Sequence, residues 1–136
     1  MKKKIIATIC LCVTSVFILY AQTNLQASVT RGKAVYAQYC LSCHQEDGSG
    51  VPKLNPPLIS TSYVTGDKKK LIQWVLTGSK ENVPIDGKYY SNNMAAQSNL
   101  SDQQIADVLT YVRNSFGNKA TAVTPAEVKT VRAETK

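Results

Sequence analysis

Histidine is nearly absent from this 136-residue chain and occurs once, at His44. A closed zinc site needs four ligands, and the chain cannot assemble them: of four cysteines, Cys10 and Cys12 lie in an apolar N-terminal stretch, leaving Cys40 and Cys43. Chemistry that depends on a pair of proton-shuttling histidines is excluded on the same count. Methionine is as scarce, with Met94 the only one besides Met1. Acids number 9 against 16 lysines and arginines, a formal charge of +7. Lys2, Lys3 and Lys4 supply three of those charges, and residues 1–21 hold no acid, so the remainder carries +4. Basic residues are not interleaved with aromatic ones and no nucleic-acid motif is present, so the excess does not point to nucleic acid. Charged residues at 18% and hydrophobic ones at 43% suit a globular protein and exclude a disordered one.

Residues 1–21 run from three lysines through the apolar stretch Ile5 to Ala21, the order of an export signal. They read as a signal peptide, or as an uncleaved anchor, because Ala21 suits the position before a cut but Leu19 is large for its place and the run approaches the roughly 18 residues that begin to span a bilayer. Ala27, preceded by Leu25 at the same offset, is no better. Neither Cys10 nor Cys12 follows the small residue that a lipid-anchor site requires. Residues 22–29 are polar and read as a spacer. From Thr30 to Leu41, the four-residue recurrence of Gly32, Tyr36 and Cys40, with Val35 and Tyr39 beside it, predicts a helix with one buried face. Glycines and prolines from Gln45 to Tyr63 make a shaped loop. Asp67 to Thr77 predicts a second helix ended by Gly78, and Ser79 to Asn99 a second loop. Ser101 with Gln104 is a capping-box pattern opening a third helix that carries Ile105, Val108, Leu109 and Val112 and closes at Gly117. Residues 119–136 form a tail in which Thr124, Pro125 and Glu127 have the composition of a short helix start, packing on the surface or fraying.

Three short helices over residues 30–118 enclose a thin core unless something else fills it. Cys40-Leu41-Ser42-Cys43-His44 indicates what does. Two thiols three residues apart can each bond one vinyl group of a porphyrin, while the adjacent histidine binds the iron. A redox dithiol, half of a zinc site and a structural disulfide are the alternatives; the first lacks its strand-helix context and the second its further ligands. Met94, in a loop and not on an apolar helical face, is a candidate second axial ligand, the alternative being a side chain that fills a gap in the core. The other ring nitrogen of His44 needs an acceptor. Pro56 and Pro57 both lie at a suitable distance along the loop, and by analogy Pro57 is assigned that role, with Leu58 on the haem face. Tyr89, Tyr90 and Trp74 either line the haem or pack the core. Lys68, Lys69 and Lys70 are a solvated run or a patch that steers partners. The pattern predicts one covalent haem c and single-electron transfer, not an enzyme. The alternative is a gas-binding or peroxidase-like protein with an open iron position, which Met94 opposes, and a third reading is a subunit docked permanently to a larger complex.

The chain resembles the class I cytochrome c family, and within it the small domains that serve periplasmic dehydrogenases and terminal oxidases. The resemblance runs from Thr30 to Asn118. It rests on Gly32, Tyr36, the Cys40 to His44 pentad, Asn55-Pro56-Pro57-Leu58, and Met94 followed by Leu100-Ser101-Asp102 and Ile105 to Arg113. It implies an all-α cytochrome c fold, three main helices and long loops wrapped around one haem. It further implies a first and last helix crossing at Gly32 and Tyr111, a methionine loop over the opposite haem face, and redox partners of the dehydrogenase or oxidase kind outside the cytoplasm. The membrane enters only if the leader stays uncleaved. Family members of this type commonly have proline after the ligand methionine; here Ala95 stands there.

Overall fold

The computed structural model describes residues 22, 24–79 and 84–135, so the leader over 1–21 lies outside the described residues. The described part is all-α, with two isolated β-bridges inside loops as its only extended pairing. Helix α1 covers 24–39, α2 is Leu41–His44, α3 Ser62–Thr65, α4 Lys68–Thr77, α5 Asp102–Arg113 and α6 Pro125–Glu134. Helix α1 takes in residues 24–29, which composition alone marks as a spacer; polar side chains suit a helix whose first turns face solvent. No helix among the described residues is long and apolar enough to cross a membrane.

The helices start where local chemistry can satisfy free backbone N–H groups. The Asp67 carboxylate accepts from Lys69 N at 2.7 Å and Lys70 N at 3.2 Å, opening α4. Ser101 and Gln104 cap α5 reciprocally, and Thr124 and Glu127 do the same for α6 behind Pro125. Helix α5 ends at Arg113, four residues before Gly117, and a turn follows it.

Helix α5 is the centre of the core: Ile105, Ala106, Val108, Leu109 and Val112 are all buried, against Leu71, Ile72, Val75 and Leu76 of α4. Helix α1 crosses α5 at Gly32, where a Cβ would overlap the Asp107 carbonyl and lie 2.7 Å from Tyr111 Cβ. Only glycine lets the two backbones approach so closely.

The tail departs from expectation. It neither frays nor lies loosely on the surface, because α6 packs on both α4 and α5, with Val128 at 0% and Val131 at 4% exposure. Burying two valines contributes roughly 3 kcal/mol. Lys68 pairs with Glu127, and Lys69 with Glu134 at 2.7 Å, while Arg132 reaches Asp102 at 2.7 Å. Two of the three lysines read as a solvated or steering run therefore pair with acids of the tail, Lys69 while remaining largely exposed.

Candidate functional site

The pentad sits where α1 gives way to α2. Cys40 N donates to Tyr36 O at 2.9 Å, and His44 N to Cys40 O at 2.9 Å, so the helical path continues through the turn and carries both cysteines and His44. Beneath it, Tyr36 stacks with Tyr111 and Phe116 at centroid distances of 5.3 and 5.5 Å, and its hydroxyl donates to Gln45 O at 2.6 Å. This aromatic cluster fixes the base of the pentad to α5. Burial, reinforced by the neighbouring Cys43, pushes the Cys40 thiol up to about 11. The sulfur at that place is favoured in a neutral form, such as a thiol or thioether.

His44 Nδ1 lies 3.0 Å from the Pro56 carbonyl oxygen. The acceptor is thus Pro56 and not Pro57, because the loop turns through Gly50 so that the earlier carbonyl faces the ring. Gly50 has φ +67°, and a Cβ there would stand 2.6 Å from Pro56 O, so a side chain would push the acceptor away. Gly50 N in turn donates to His44 O at 3.1 Å. With Nδ1–H donating, Nε2 keeps its lone pair. Burial lowers the imidazole pKa, against the opposing effect of the Pro56 bond, so the ring is held neutral as a metal ligand must be.

Met94 is pinned to the end of α4. Its N–H donates to Ser79 Oγ at 2.8 Å and its carbonyl accepts from Ser79 N at 3.0 Å. The two loops also meet directly: Ser91 N donates to Lys53 O at 2.9 Å and Asn92 N to Leu54 O at 3.0 Å. Asn118, buried beyond α5, donates to the carbonyls of Leu58 and Val112 at 2.9 and 2.8 Å, tying the first loop to the core.

Between these walls is a cavity of about 380 Å³. Cys40, Cys43, His44 and Met94 all reach it, as do Pro57, Leu58, Trp74 and Tyr90, each singled out from the sequence. Trp74 is set edge-on against Tyr63 at 5.5 Å, whereas Tyr89 is 66% exposed and takes no part in the lining. The donor set is chemically that of a covalently held haem: two thiols, an imidazole with one nitrogen tied back, a thioether, and an otherwise mostly apolar surface. Sequence reasoning missed Ser79 and Phe116, and passed over Pro56 for its neighbour. The density of glycine and proline shows that the first loop is shaped, without showing which carbonyl it presents.

Comparison with known proteins agrees with this geometry. A family model for cytochrome c matches residues 29–116. Cytochrome c-552 of Thermus thermophilus is 32% identical over 114 residues, covering 76% of this chain and 85% of that protein. The cytochrome c subunit of the quinone alcohol dehydrogenase of Gluconacetobacter polyoxogenes is 35% identical over 103 residues, covering 74% of this chain and 22% of that subunit. The gluconate 2-dehydrogenase cytochrome c subunit of Pantoea cypripedii is 37% identical over 108 residues, 76% of this chain and 24% of that subunit. The chain therefore spans less than a quarter of these dehydrogenase subunits and most of the small cytochrome. The family match takes in the pentad, both loops and α5, and the chain belongs to the cytochrome c family, whose members carry covalently bound haem c.

Proposed function

We propose that this protein is an electron carrier, or an electron-transfer subunit, whose haem is bonded through Cys40 and Cys43 and whose iron is bound by His44 and Met94. Pro57, Leu58, Trp74 and Tyr90 pack against the haem in this reading. The observation that carries it is that one mostly apolar cavity gathers the pentad and the sole methionine beyond Met1, with the His44 ring already held by Pro56. Haem, when bound, supplies a metal centre that gains and loses one electron. The protein's own residues do the rest. The Nδ1 bond keeps His44 in one tautomer and orientation in both redox states, and a thioether paired with imidazole favours the reduced state and raises the potential. A cavity walled by apolar side chains keeps water, and the reorganisation that comes with it, away from the site.

The partners proposed are redox proteins outside the cytoplasm, a dehydrogenase as donor or a terminal oxidase as acceptor. Relatives named as cytochrome c subunits of dehydrogenases support that kind of partner, and the order of charge and apolarity in residues 1–21 supports the placement, with the segment acting either as a removed signal or as an anchor facing the periplasm. Transient redox encounters use interfaces below about 1,200 Å², so no long recognition sequence is needed.

Potentiometric titration of the haem-loaded protein tests the reading. It predicts a reversible one-electron transition with small mediators and slow carbon monoxide binding by the reduced form. Rapid carbon monoxide binding at neutral pH would instead identify an open iron position and a gas-binding or peroxidase-like role.

A further inference from the structure

The residue after Met94 is alanine, so the ligand loop lacks the ring constraint that proline would place on residues 94 and 95. The structure contains a different constraint. Ser79 holds both polar groups of Met94: its Oγ accepts from Met94 N at 2.8 Å and its N–H donates to Met94 O at 3.0 Å. Two hydrogen bonds to one residue, on either side of a single Cα, fix the position of that Cα and the direction of its Cβ. Only the side-chain torsions of Met94 are left free.

The frame behind Ser79 is stiff. It follows α4, whose C-terminus closes at Gly78 with φ +69°. A Cβ at Gly78 would overlap the Met94 carbonyl and stand 2.8 Å from Ala96 N, so the loop lies directly against the helix end. A third bond, from Gln97 N to Val75 O at 2.8 Å, fastens the loop just beyond the ligand. Val75 and Leu76 of the same helix are buried in the core, which anchors the frame to the rest of the protein.

We propose that Ser79 is a positioning residue for the Met94 ligand, doing by a two-point hydrogen-bond clasp what a proline after the methionine would do by ring closure. The proposal rests on Met94 being the axial ligand. It goes beyond it in assigning the strength of that ligation to a side chain that also lines the cavity but bonds the backbone of Met94. Without the hydroxyl, Met94 N loses its partner and the loop samples arrangements in which the thioether is withdrawn. An exogenous ligand binds only those arrangements, so its apparent dissociation constant falls as their population rises.

The experiment is imidazole titration of the ferric, haem-loaded protein, recorded with the far-red absorption band that reports methionine on ferric iron. Wild type is compared with Ser79→Ala, Ser79→Thr and Met94→Ala. Loss of one hydrogen bond predicts about tenfold tighter imidazole binding and a weakened far-red band for Ser79→Ala. Ser79→Thr, which keeps the hydroxyl, should stay within about twofold of wild type on that same scale. Gly78→Ala leaves the hydroxyl but pushes on the Met94 carbonyl, and should shift imidazole affinity in the same direction if the alanine variant at 79 does not load haem. A Ser79→Ala protein with wild-type affinity and a full band, while Met94→Ala loses the band, overturns the clasp and leaves Met94 ligation intact. Wild type lacking the band and matching Met94→Ala overturns the ligation and the clasp with it.

Discussion

Asp107 is 2% exposed at the crossing of α1 and α5, and its charge is held by the side chains around it. Ser28 Oγ donates at 2.6 Å, Arg31 Nε and Nη2 at 2.7 and 2.8 Å, and Gln103 Nε2 at 3.0 Å. Burial opposes ionisation, yet the bonds from Arg31, Ser28 and Gln103 prevail and hold the carboxyl below its ordinary value. Asp107→Asn keeps the shape but turns an amide N–H toward Arg31, a donor against a donor. Hydrogen bonds to a charged group contribute roughly 1.5–3 kcal/mol each. The Arg31 side chain is 54% exposed, so solvent screens its pair with Asp107 and its share is small. A net loss of about 2 kcal/mol follows, on the order of 10 °C in Tm for a domain of this size. The pH dependence has a definite sign. The folded pKa is depressed, so as pH falls the unfolded chain takes the proton first. The stability is complete above the unfolded value near 4 and is lost as pH drops through the folded one. Urea unfolding of the haem-loaded proteins, followed by far-ultraviolet circular dichroism, should show a constant gap between wild type and Asp107→Asn from pH 7 to about pH 5, closing below about pH 4. A gap under about 0.5 kcal/mol at pH 7, or one unchanged at pH 3, would refute the reasoning.

Gly32→Ala places a methyl group on the Asp107 carbonyl and should separate α1 from α5, costing about 3 kcal/mol, read as a lowered unfolding midpoint at unchanged denaturant slope. Arg132→Ala leaves Asp102 and the carbonyls of Ser98 and Leu100 without the bonds they now accept at 2.7, 2.8 and 2.6 Å. A loss of about 2 kcal/mol in thermal or urea unfolding is expected, and a neutral result would show that α6 docks without help from Arg132. Gly50→Ala should push Pro56 O away from His44, make the imidazole a less basic ligand and so raise the midpoint potential relative to wild type while covalent haem loading persists. An unchanged potential would mean that the ring orientation does not depend on that carbonyl.

The elements that are legible in the sequence are those governed by local chemistry. Asp67 and Gly78 bracket α4 because a carboxylate caps one end and a residue able to take φ +69° ends the other. Ser101 and Gln104 open α5 for the same kind of reason. The pentad is legible because two thiols and a histidine at that spacing match what haem attachment requires. What escapes the sequence is the choice of partner across distance. Helix α6 shows only Val128 and Val131 as buried apolar residues, too few to reveal a face, and its docking depends on Lys68, Lys69 and Asp102 far along the chain. Pro56 and Pro57 are indistinguishable until the turn at Gly50 shows which carbonyl meets His44. Ser79 is one serine among several, and its role appears only when the helix end comes to lie beside Met94.

The most direct test of the central claim is a pair of oxidised and reduced visible spectra, for wild type and Met94→Ala, on protein made with the haem-attachment machinery and checked by intact mass. One covalent haem, a c-type spectrum, and a far-red band present in wild type but absent from Met94→Ala are the predicted result. A mass without haem would contradict the account at its root, and covalent haem without that band in either protein would contradict the axial role given to Met94.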